Sequence, residues 1–68
     1  MQSERAKFKT LLSYMLDHNK KHVEELEELA VKAQELGETR IHDDVLQLIE
    51  QMNKANKTLE EDLRIIKA

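Results

Sequence analysis

Apolar residues recur at helical spacing from Phe8 to Leu36 and again from Ile41 to Ile66, and the chain's sole glycine, Gly37, falls between the two runs. No proline interrupts either one. Two long helices joined by so short a connection must lie antiparallel and side by side. The pattern predicts helix one over about 4–36, a turn at 37–39 and helix two over about 40–67, within one domain spanning 1–68. Ser3 is placed to cap the first helix and Thr39 the second, with Glu4 in the first turn of helix one and Asp43 and Asp44 near the start of helix two. Gly37 suits a left-handed cap, where the missing Cβ removes the steric penalty. The first three or four residues, and Lys67 with Ala68, are expected to fray.

Heptad spacing puts Phe8, Met15, His22, Leu29 and Leu36 on one line of helix one and Leu12, Asn19, Leu26 and Ala33 on the next. Leu16, Val23 and Ala30 widen that stripe. Helix two carries Ile41, Val45, Leu48, Met52, Ala55, Leu59 and Ile66, flanked by Ile49 and Leu63. Faces this broad exceed what one partner helix covers. The expected fold is therefore all-α, an antiparallel two-helix hairpin that dimerises into a four-helix bundle. The surplus is greatest at the open end. Phe8, Leu11, Leu12, Met15, Leu59, Leu63 and Ile66 are the expected dimer interface.

Folding back sets Leu36 near Ile41, Leu29 near Leu48, His22 near Ala55 and Met15 near Asp62. A polar band then crosses the hairpin at its waist, with Asn19 and His22 on the buried face of helix one and the string 53–58 at the same height on helix two. His18 and His22 are four apart, so both imidazoles can reach one nickel, zinc or cobalt ion. Glu25, three residues on, is placed as a further ligand or as a group that orients His22. The same residues also read as buried polar groups that fix register, as wet surface, or as a proton-sensitive joint. His42 reads as a surface residue, and Met15 and Met52 as core fillers.

Other chemistries are poorly supplied. The chain has no cysteine, which removes disulfides and thiolate chemistry and points to a cytoplasmic setting. Neither a leader nor a membrane span is expected. A net charge of −3, acids interleaved with bases and a near absence of aromatics argue against nucleic acid. The pairs Glu28–Lys32, Glu50–Lys54 and Glu60–Arg64 read as a solvated face. Neither a phosphate loop nor a catalytic triad is present, and no enzymatic activity is expected. Di-iron bundles need further buried acids, and none faces the waist from helix two.

The string His18-Asn19-Lys20-Lys21-His22-Val23-Glu24-Glu25-Leu26 resembles the first-helix element, His-Asn-x-x-His, of a small uncharacterised prokaryotic family of helical-hairpin proteins. That resemblance implies a hairpin, no established activity, and His18, Asn19 and His22 as positions to test. Val45-Leu46-Gln47-Leu48 is similar to part of the small sporulation aspartyl-phosphate phosphatases, but their Ser-Gln-Glu-Leu-Asp element is absent. The sequence thus describes a small helical interaction or scaffold protein that self-associates. The alternative is a transition-metal-binding protein that uses the histidine pair.

Overall fold

The structure, a computed structural model, describes residues 3–67; Met1, Gln2 and Ala68, expected to fray, lie outside the described residues. Helix α1 spans Glu4–Glu35 and helix α2 spans Thr39–Lys67, and the two pack against each other as an antiparallel hairpin. Ser3 and Glu4, expected to fray, instead form an ordered start. The Ser3 hydroxyl accepts from the Ala6 N–H at 3.1 Å, and Glu4 lies in the first turn.

The turn is short, with residues 36–38 between the two helices. Gly37 takes φ +75°; its N–H donates to Gln34 O at 3.0 Å, and the Glu38 N–H donates to Ala33 O at 2.9 Å. These two bonds close the carbonyls left open at the end of α1 in a Schellman arrangement. Glu38 then accepts from the His42 N–H at 2.9 Å, so it, and not Thr39, holds the N-cap position of α2. Asp43 and Asp44 fall past the first turn, where they meet His42 and Arg40 instead of the open N–H groups. No atom would touch a Cβ at Gly37, so only its backbone angle demands glycine.

The seam between the helices is narrow. Its buried residues are Leu16, Val23, Ala30 and Ala33 on α1 and Val45, Asn56 and Leu63 on α2. Of the two lines expected to lead on α1, the one through Phe8, Met15, Leu29 and Leu36 lies outside, and the flanking line Leu16–Val23–Ala30 takes the centre. The chain extends 53 × 19 × 11 Å, so its thickness is that of a single helix. Among the described residues no large side chain is fully enclosed.

The buried polar residue is also not the expected one. Asn56 is 6% exposed, whereas Asn19 and His22 are half-buried. The Asn56 side-chain oxygen has no hydrogen-bond partner among the described residues. A buried amide oxygen left unpaired is costly. On the surface, Glu50–Lys54 forms at 3.7 Å, but Lys32 turns to Glu35 at 4.0 Å and Glu60 reaches across to Lys20 at 3.5 Å. Being exposed, these pairs contribute little. Lys20–Glu60 joins the two helices on one side of the seam.

Two outcomes follow. Asn56→Leu removes the unpaired carbonyl and raises resistance to urea by about 1–3 kcal/mol; a fall in the unfolding midpoint would show that the amide is satisfied. Gly37→Ala forces a left-handed alanine and costs about 1–2 kcal/mol, read as a lower thermal midpoint. Gly37→Asn loses less, since asparagine tolerates that conformation.

Candidate functional site

Helical spacing places Tyr14, His18 and His22 one above another on α1. The Tyr14 and His18 rings stack with centroids 5.7 Å apart and planes 16° apart. The His18 and His22 rings meet edge-on, with centroids 4.4 Å apart and planes at 87°. This brings the two Nε2 atoms to 2.9 Å. On the far side of the His22 ring, Nδ1 faces Glu25 Oε1 at 3.8 Å, an ion-pair distance too long for a hydrogen bond. The three residues expected to act together are thus neighbours, but in a chain: His18 to His22, and His22 to Glu25. Glu25 stands against the nitrogen that the pair does not share.

A hydrogen bond between two imidazoles needs one N–H and one bare nitrogen. The carboxylate beside His22 Nδ1 favours a proton there, which leaves His22 Nε2 as acceptor and His18 Nε2–H as donor. His42 stands apart. Its Nδ1 lies 3.1 Å from Asp43 Oδ1, and the residue, expected at the surface, is half-buried. Among the described residues no three His, Cys, Asp or Glu side chains converge on one point.

His22 also opens onto a second feature. With Leu26, Leu48, Gln51, Met52 and Ala55 it lines an open groove of about 470 Å³ beside the seam. Smaller hollows continue it in both directions. Phe8, Leu12, Asp62, Ile65 and Ile66 line one of about 200 Å³ at the open end. Leu29, Lys32, Ala33, Leu36, Glu38 and Ile41 line one of about 170 Å³ at the turn. The residues recur at heptad-related positions, so all three hollows lie on one flank of the hairpin. That flank is oily: Phe8, Leu29, Leu48 and Ile41 are each half or more exposed.

Of the expected interface residues, Phe8, Leu11 and Met15 are exposed, and Leu12, Leu59 and Ile66 are half-buried. Leu63 differs. It is 9% exposed and belongs to the seam within the hairpin. Gln51 was not singled out, and Asn56 only as one member of the polar string 53–58. Asn56 follows Val45 by eleven residues and precedes Leu63 by seven, a spacing that keeps all three on one helical face.

Residues 8–66 match the family described as Domain of unknown function (DUF8180). The chain belongs to this family. The matched span takes in both helices, the turn, the histidine pair and the groove. No curated protein and no solved structure matches the chain. Among the described residues no helix is long and apolar enough to cross a membrane.

The ring arrangement is open to a direct check. Nitrogen-15 spectra of the neutral rings are expected to show His22 as the Nδ1–H tautomer and His18 as Nε2–H. The opposite assignment would mean that Glu25 does not orient the pair.

Proposed function

We propose that the chain is a self-assembling helical module: two copies pack groove to groove about a two-fold axis, forming a four-helix bundle that serves as a small interaction or scaffold protein. The observation that carries this reading is the mainly apolar flank, with three hollows along it, on a slab 11 Å thick. A single hairpin covers only its seam. The flank has the length and chemistry of a helix-pair interface, and exposed apolar surface of that extent favours a partner. A second copy is the partner that fits it.

Charge favours that occupant. The charged residues lining the flank are Asp62 towards the open end and Lys32 and Glu38 at the turn. His22 and Ala55 share the central groove and so stand at one height. Lys32 lies about 15 Å from that level towards the turn, and Asp62 about 10 Å the other way, at 1.5 Å per residue. A two-fold axis at the waist reverses one copy, which sets Lys32 of each within about 5 Å of the height of Asp62 of the other. The central groove has no Asp, Glu, Lys or Arg in its lining, so the middle of the interface is mainly apolar around His22 and Gln51. The reading assigns the chain no catalytic step. Its proposed setting is the cytoplasm, since a bundle held by apolar contact needs no oxidising environment.

Sedimentation equilibrium at tens of micromolar is expected to give twice the 8.0 kDa chain mass. Leu48→Asp and Met15→Asp place a charge in the flank and should yield monomers, while Leu63→Asp strikes the seam and should abolish the helical signal altogether. A wild-type monomer at that concentration would remove the proposal.

A further inference from the structure

We infer that the dimer axis joins the His18–His22 pairs of two copies into one four-imidazole site for a zinc-class divalent ion, a step that rests on the self-assembly just proposed. The pair is half of such a site. Two nitrogens bound to one ion at about 2.0–2.1 Å stand about 2.9 Å apart at a right angle and about 3.4 Å apart at the tetrahedral angle. The Nε2 atoms already stand at 2.9 Å, so modest ring rotation aims both lone pairs at one ion. Imidazole nitrogen selects zinc, cobalt or nickel over magnesium or calcium, which prefer oxygen.

One chain cannot finish the site. No cluster of three ligating groups exists among the described residues, and Glu25 is turned to the other nitrogen of His22. His22, however, lines the central groove at the level where the two-fold axis is placed. An isologous interface presents each residue twice about its axis, so the second copy supplies the missing two nitrogens. Four neutral imidazoles complete a closed tetrahedral shell.

The proton balance is simple. His22 already presents a bare Nε2, with its proton on Nδ1 beside Glu25. His18 moves its proton from Nε2 to Nδ1 by way of solvent as the ion enters. No net proton is released. Glu25 is a positioning residue, and Tyr14, stacked on His18, restrains that ring.

The test uses the full chain, stripped with chelator and titrated with zinc, then with cobalt as a spectroscopic stand-in. The expected result is one ion per two chains and a tetrahedral cobalt spectrum. His18→Ala and His22→Ala should each weaken binding by more than about a hundredfold, beyond the usual loss from disturbing an outer-sphere group, and Glu25→Gln by about tenfold. Nitrogen-15 spectra should show His18 switching tautomer on binding. One ion per chain, no binding, or binding unchanged in His22→Ala would each overturn the inference. Mass measured in chelator judges the bundle separately: a metal-free dimer that takes no zinc keeps the assembly and sinks the site. Metal-free monomers that pair only around one ion per two chains keep the site and sink unaided assembly.

Discussion

The hairpin depends on a single line of side chains, Leu16, Val23, Ala30 and Ala33 against Val45, Asn56 and Leu63. Two helices in contact share one stripe each, and whatever lies to either side of it remains at the surface. Near the turn the stripe narrows to Ala30 and Ala33 on α1, facing Val45 on α2. Because α1 is rotated to bring that line inwards, the larger side chains of Phe8, Met15, Leu29 and Leu36 are left outside. The oily flank is therefore a consequence of the seam. A protein one helix thick has no other layer to cover it.

The same rotation separates polar residues that share a height. Asn56 is carried into the seam, where its carbonyl loses water and gains no partner. His22 is carried to the edge of the groove, where it keeps one face towards apolar side chains and reaches His18 with the other. The two residues suit different tasks. An unpaired amide inside a seam lowers stability but disfavours alternative alignments, the role best attested for single polar residues in helical cores. A histidine on the rim of an open groove is available to a ligand or a second chain.

Membership in the DUF8180 family extends over residues 8–66, so it covers the seam, the flank and the histidine pair together. The flank and the pair meet at one residue, His22. In the proposed bundle that side chain stands at the centre, so the proposed association and the proposed ion site share one residue of the chain.

Much of this was legible from residue order alone. Helical periodicity, a lone glycine and the absence of proline determine two antiparallel helices, since no other arrangement satisfies so short a turn. The spacing of four likewise determines that His18 and His22 touch, because contacts within a helix are local. Which apolar line faces inwards was not determined. On α1 three adjacent lines are apolar, and hydrophobicity by itself does not rank them. Packing ranked them, through the small volume of Ala30 and Ala33 and the register set by Gly37. For the same reason the buried polar residue proved to be Asn56, and Leu63 a seam residue: burial across two helices depends on rotation about both axes, which only the tertiary structure decides.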